Sequence, residues 1–171
     1  MFDTRLRIYL NDHLALITGE GELARRCRNS NQGTSLGEFL DQLQADLETQ
    51  RAALSDVIRR AGGREDVVKQ GAAWLAEKLG RFKLNDSLLS YSDLSRLVEL
   101  ETLSTAAHER VMLWETLSET LGGDDRFAGI SFPWYRDQSV GHVDGLNTER
   151  RKAVPAAFPR PVQVDIRVQP D

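Results

Sequence analysis

The chain is poor in cysteine and histidine and lacks both a long apolar run and a block of basic residues. Its single cysteine, Cys27, excludes an internal disulfide, so we expect a reducing compartment, the cytoplasm. No apolar run approaches the roughly 18–20 residues of a membrane span, and the first residues lack the apolar core of a signal peptide. Lysine and arginine are dispersed and the net charge is -4, so we expect neither nucleic acid nor a membrane as a partner.

Several familiar catalytic motifs are also missing. The sequence contains no P-loop and no Gly-x-Gly-x-x-Gly motif, which argues against a phosphate-binding loop. No Ser-His-Asp or Cys-His arrangement has a recognisable context, which argues against nucleophilic hydrolysis.

What the sequence does contain is a set of apolar stripes at alternating steps of four and three residues. Such steps keep side chains on one face of a helix, so these faces are expected to pack together. Polar or small residues interrupt the stripes at mid-helix, and those positions are where a functional site would lie. The predicted stripes are Leu6, Leu10, His13, Ile17, Glu20, Ala24 and Cys27; Leu36, Leu40, Leu43, Leu47, Gln50, Leu54, Val57 and Ala61; and Leu97, Leu100, Ser104, Ala107, Val111, Trp114, Ser118 and Leu121.

The pattern predicts an all-α bundle of four long helices and a short one. The long helices are expected at about 4–28, 35–61, 93–121 and 134–154, and the short one at about 64–84. Because the short helix does not match its neighbours in length, we expect it to cross over the bundle between two helical hairpins. Residues 162–168 alternate with period two, which indicates an extended tail. The predicted domains are a bundle over 1–154 and a tail over 155–171.

This layout resembles the ferritin-like superfamily, and most nearly its small bacterial members of the YciF type. The resemblance extends over about residues 6–153 and depends on helix order, helix lengths and local patterns. These patterns are Leu47-Glu48-Thr49-Gln50-Arg51 and the stretch from Trp114 to Gly122. Membership would imply iron or manganese and oxygen or peroxide chemistry.

The resemblance also implies a di-metal ligand set, but this chain matches it incompletely. Ferritin-like centres take a Glu from each of two helices and a Glu-x-x-His from the other two. Glu20 and Glu48 are candidates, but Arg51 stands where a His would follow Glu48, and the chain contains no Glu-x-x-His. Arginine cannot ligate a metal because it stays protonated. One interpretation is that Arg51 pairs with Glu20 or Glu48 in place of the metal charge. The alternative, favoured for Glu48, is that Glu48 and Arg51 form a surface pair three residues apart. Glu20 is expected to be buried, because Ile17 and Ala24 flank it on the same stripe.

The other polar candidates of this layer lie on the remaining long helices. The residues predicted to line the core or a bound ligand are Gln50, Arg51, Ser104 and Gln138, and His142 is the histidine candidate on the last helix.

A second His/Glu set competes with this interpretation. Glu101, His108 and Glu115 recur every seven residues on one helix, as do His13 and Glu20 on another. Residues seven apart lie about 10.5 Å apart along a helix, so ligands of one metal would have to come from different helices. The alternative metal site comprises His13, Glu20, Glu101, His108 and, as a further candidate, His142, whereas Glu48 is a metal candidate of the ferritin-like set alone. The simpler alternative is a core histidine with solvated carboxylates.

Three functions remain open from the sequence. The first is a structural or small-ligand-binding bundle without an intact di-metal site and without a cofactor, self-associating as a homodimer. The second is an iron- or manganese-dependent oxidase or ferroxidase with an atypical His/Glu ligand set. The third is a helical adaptor, which predicts an apolar patch on the last helix or tail.

Overall fold

The computed structural model of the protein describes residues 4–65 and 91–159, and within them it is entirely α-helical apart from turns and one short 3-10 segment. The predicted short helix at 64–84 and the tail beyond 159 lie almost wholly outside the described residues. The four long helices are α1 (Thr4–Asn29), α2 (Ser35–Arg60), α3 (Asp93–Leu121) and α4 (Phe132–Ala157), with the 3-10 turn at Asp125–Phe127.

The helix ends follow local capping chemistry. The sequence predicts Ser92 as the N-cap of α3, and its hydroxyl does accept a hydrogen bond from the backbone N–H of Ser95 at 3.1 Å. At α2 the sequence predicts a capping box starting at Ser35, but the cap is one residue earlier. The hydroxyl of Thr34 accepts from the N–H of Gly37 at 3.1 Å.

The predicted end of the bundle at residue 154 falls inside α4. This helix continues to Ala157 and accommodates Pro155 in its last turn. The helix begins at Phe132, one residue before Pro133. Proline is tolerated in this first turn because the first helical N–H groups have no intrahelical partner.

The four helices form two antiparallel hairpins, α1 with α2 and α3 with α4. The hairpins meet where α1 packs on α3 and α2 packs on α4. Arg26, near the end of α1, contacts Glu99, near the start of α3, so these helices are antiparallel. Consequently α2 and α3 run in the same direction, and the connection between them joins opposite ends of the bundle.

The predicted stripe of α2 forms one wall of the core, and all eight of its positions, Leu36 to Ala61, are buried. Aromatic stacking joins α3 to α4, because the Trp114 ring lies 4.7 Å from Tyr135 and 6.3 Å from Phe132, centroid to centroid. Among the described helices, none has the length and apolar character needed to cross a bilayer.

Candidate functional site

A buried ion pair lies at the middle of the bundle, where all four helices meet. Arg110 of α3 donates from Nε to Glu20 Oε2 at 2.8 Å and from Nη2 to Glu20 Oε1 at 3.0 Å. Both side chains are 0% exposed. This two-pronged geometry uses the planar fork of the guanidinium, which is the arrangement that best compensates for taking two charges out of water.

Gln50 of α2 connects this pair to the aromatic cluster. Its Oε1 accepts from Arg110 Nη1 at 3.0 Å and from Trp114 Nε1 at 2.8 Å. Both groups are donors only, which fixes the orientation of the amide. Its Nε2 donates to Gln138 Oε1 at 2.8 Å and lies 3.2 Å from Ser139 Oγ. The amide of Gln50 therefore uses its full hydrogen-bonding capacity inside the core.

Helix α4 completes the cluster through Ser139 and His142. Ser139 Oγ lies 3.1 Å from Arg110 Nη1 and donates to the carbonyl oxygen of Tyr135 at 2.8 Å. His142 Nδ1 lies 3.1 Å from Arg110 Nη1, and His142 Nε2 lies 2.9 Å from Asp46 Oδ2. We call the set Glu20, Gln50, Arg110, Ser139 and His142 the Arg110 layer.

These contacts determine the tautomer of His142. Arg110 only donates, so Nδ1 of His142 accepts and its Nε2 carries the proton that is donated to Asp46. Burial lowers the pKa of His142, and the adjacent charge of Arg110 lowers it further, while Asp46 opposes the change. The neutral imidazole of His142 thus connects the buried guanidinium of Arg110 to the carboxylate of Asp46, whose side chain is 19% exposed.

The electrostatics of Glu20 follow from the same geometry. Burial raises the pKa of Glu20, and the guanidinium of Arg110 acts against that rise by attraction and by hydrogen bonding. The pair is neutral as a unit, which is how a charge can remain this deep in an apolar core.

A second buried carboxylate lies near one end of the bundle. Glu99 of α3 is 1% exposed, and its Oε1 lies 2.9 Å from Arg26 Nε. Beside it the thiol of Cys27 lies 3.5 Å from the hydroxyl of Tyr91. Burial raises the pKa of Cys27 to about 12, so the thiol is protonated and unreactive in the folded chain.

The predicted metal ligands are not brought together. Glu20 lies in the Arg110 layer, and His142 lies there too, but they are separated by the guanidinium. Glu48, Glu101 and His108 are exposed. His13 is half-buried and packs its ring edge against Tyr9. In the described parts of the chain, no three His, Cys, Asp or Glu side chains are placed to hold a metal ion.

The predicted role of Arg51 is corrected by the structure. Arg51 is exposed on α2, and Arg110 is the residue that pairs with Glu20. The physical reason is register: Arg51 follows the buried Gln50 by one residue and so points about 100° away from the core. Gln50, Gln138 and His142 do lie in or beside the polar layer, whereas Ser104 is half-buried on α3 and is not among its hydrogen-bonded members.

Sequence reasoning missed Arg110, although a signal for it exists. Helix α3 carries a second stripe at steps of four and three, beside the predicted one. Both charged residues on this stripe prove to be buried. Its members are Glu99, Leu103, Ala106, Arg110, Leu113 and Leu117.

Comparisons with known proteins give no match: no family model, no curated protein and no solved structure is similar to this chain at a significant level.

Proposed function

We propose that the chain is a ferritin-like bundle in which the Arg110 layer takes the place of a di-metal centre, and that the protein acts as a structural or small-ligand-binding protein. The single observation that carries this proposal is the fully buried Arg110, which contacts residues of α1, α2 and α4 at mid-bundle. Two antiparallel hairpins whose connection joins opposite ends of the bundle agree with the ferritin-like topology.

The composition of the layer supports the same interpretation. Ser139 and His142 are three residues apart, the spacing of a Glu-x-x-His ligand pair, with Ser in place of Glu. Gln50 and Arg110 fill the inward positions on α2 and α3. Of these inward groups only Glu20 carries a negative charge, and it is already neutralised by Arg110.

The chemistry of this donor set is unfavourable for a hard cation. Iron(II) and manganese(II) prefer several carboxylate or imidazole ligands, and a fixed guanidinium repels them. The same groups are well suited to holding four helices in one register, because the hydrogen bonds of Arg110 and Gln50 all cross between helices. A structural role for the layer follows from this arrangement.

Metal content of the purified full chain tests the proposal. After anaerobic incubation with ferrous iron and desalting, we expect well under about 0.1 iron per chain by mass spectrometry, and no difference between wild type and Glu20→Gln. The matched control is Glu48→Gln, at an exposed carboxylate. Stoichiometric iron that disappears in Glu20→Gln but persists in Glu48→Gln would overturn the proposal and favour the oxidase alternative.

A further inference from the structure

Two glutamates are buried within the described residues, and their surroundings compensate them very differently. Both oxygens of Glu20 accept from the guanidinium of Arg110, which is itself fully buried. Glu99 is 1% exposed, yet neither of its oxygens accepts a hydrogen bond from a described residue. Nε of Arg26 lies 2.9 Å from Glu99 Oε1 but outside hydrogen-bonding geometry, and the Arg26 side chain is 46% exposed. Glu99 is therefore buried without the donors that a carboxylate needs.

A thiol and a phenol share this enclosed end of the bundle with Glu99. The hydroxyl of Tyr91 lies 3.5 Å from Sγ of Cys27 and 3.0 Å from the amide nitrogen of Asn31, which donates to it. Burial raises the pKa of the Cys27 thiol and that of the Tyr91 hydroxyl, so both groups are neutral. Burial also raises the pKa of Glu99, against the opposing charge of Arg26 and the neighbouring hydroxyl and thiol. The closed end of the bundle thus favours the neutral carboxyl.

The charged groups around Glu99 leave it with little compensation. Helix α3 packs on α1 and α4. From α1 the described cation is Arg26, which remains half in solvent. Arg96, on α3 itself, is already bound to an amide and to an aspartate. From α4, Arg150 lies 3.7 Å from Glu101, a different carboxylate. Ionisation of Glu99 in the closed bundle is therefore stabilised by one partly solvated arginine.

We propose that this end of the bundle is a pH-sensitive latch, in which ionisation of Glu99 separates the start of α3 from the end of α1 and exposes the thiol of Cys27. In the closed chain the carboxyl keeps its proton above the ordinary pKa of 4.5, whereas in the opened chain water stabilises the ionised form. Opening then releases a proton, so each pH unit in that range favours it about tenfold. The latch opens locally and does not depend on the role of the Arg110 layer.

Alkylation of the full chain by iodoacetamide, followed by mass spectrometry, tests the latch, because Cys27 is the only cysteine. Only an exposed thiolate reacts, so the rate is set by the opening equilibrium and the ionised fraction of the opened thiol. That fraction alone gives log rate a slope of about 1 per pH unit below the ordinary thiol pKa of 9.0.

The wild-type rate is measured between about pH 5.5 and pH 8.5, where both ionisations contribute. We expect a slope of about 2 at the acid end of this range, because opening and thiolate formation each release a proton. The slope then falls to about 1 where Glu99 is ionised in the closed chain as well. A wild-type slope of about 1 throughout would overturn the proposal.

Three variants assign the extra proton. Glu99→Gln has nearly the same shape but cannot ionise, so its slope is expected to be about 1 throughout. The matched control is Glu115→Gln, at an exposed position of α3, which retains the steep region. Arg26→Gln is expected to move the change of slope to higher pH, because the charge of Arg26 lowers the pKa of Glu99. A steep region that persists in Glu99→Gln would contradict the assignment.

Urea distinguishes the latch from global unfolding. A local opening exposes little surface, so the alkylation rate at fixed pH is expected to stay nearly constant at low urea concentrations. At higher concentrations the rate rises with the slope of global unfolding. A rate that rises with that full slope from zero urea would show that Cys27 is reached only when the whole bundle unfolds, and the latch would be excluded.

Discussion

At the scale of single residues, Arg110 is the most consequential side chain of the described structure. Its guanidinium is buried with Glu20 and also reaches Gln50, Ser139 and His142. An isolated buried charge is very costly, but each of these contacts offsets part of that cost. Because the contacts come from three other helices, one side chain couples the positions of all four.

His142 makes the stability of this layer dependent on pH. Its pKa in the folded chain is lowered from the ordinary value of 6.5, so the unfolded chain binds more protons as the pH falls below that value. Folding is therefore destabilised on acidification, with a slope of at most about 1.4 kcal/mol per pH unit for one proton. Protonation at Nδ1 would also place an N–H against the donating Nη1 of Arg110.

Urea denaturation between pH 7.5 and 5 measures this effect. We expect the free energy of unfolding of the wild type to fall with pH more steeply than that of His142→Gln. The control is His108→Gln, which removes an exposed histidine from α3. His13, whose pKa is also lowered by burial, is retained in both variants. Equal slopes for wild type and His142→Gln would show that His142 does not titrate as described.

At the scale of the helix, α2 and α3 differ in how much their sequences reveal. Helix α2 buries one stripe, and its period of four and three predicts every buried position of that stripe, including Gln50. Helix α3 packs on α4 and also contacts α1 more extensively than α2 contacts α4, so it buries two adjacent stripes. The first stripe alone leaves Arg110 looking like an ordinary surface arginine, and only the second stripe, which continues through Leu103, Ala106 and Leu113, indicates that it is buried.

The cap of α2 gives a prediction at this scale. Thr34→Ala removes the hydroxyl that accepts from the N–H of Gly37, and we expect it to lower the free energy of unfolding by about 1 kcal/mol. The control is Thr49→Ala at an exposed position inside α2, where alanine is the better helix former and stability is maintained or increased. Thermal or urea melts compare the two. A smaller loss for Thr34→Ala than for Thr49→Ala would contradict the assigned cap.

At the scale of the whole molecule, the bundle is two hairpins joined across a polar layer. Helix lengths and stripes are enough to predict the helices and their pairing as α1 with α2 and α3 with α4. They are not enough to predict which arginine side chain pairs with Glu20. That pairing depends on how helices distant in sequence are rotated relative to one another. Arg51 and Arg110 are both near the predicted layer, and only the packed structure distinguishes them.

The central claim is that Glu20 and Arg110 stabilise the bundle as a mutually dependent buried ion pair. A double-mutant cycle on the free energy of unfolding tests it directly. Arg110→Met alone leaves a buried carboxylate and is expected to cost about 3–5 kcal/mol, and Glu20→Leu alone leaves a buried guanidinium and is expected to cost a similar amount. With both substitutions we expect at least about 2 kcal/mol of the summed loss to be recovered. Losses that add to within about 0.5 kcal/mol would contradict the account.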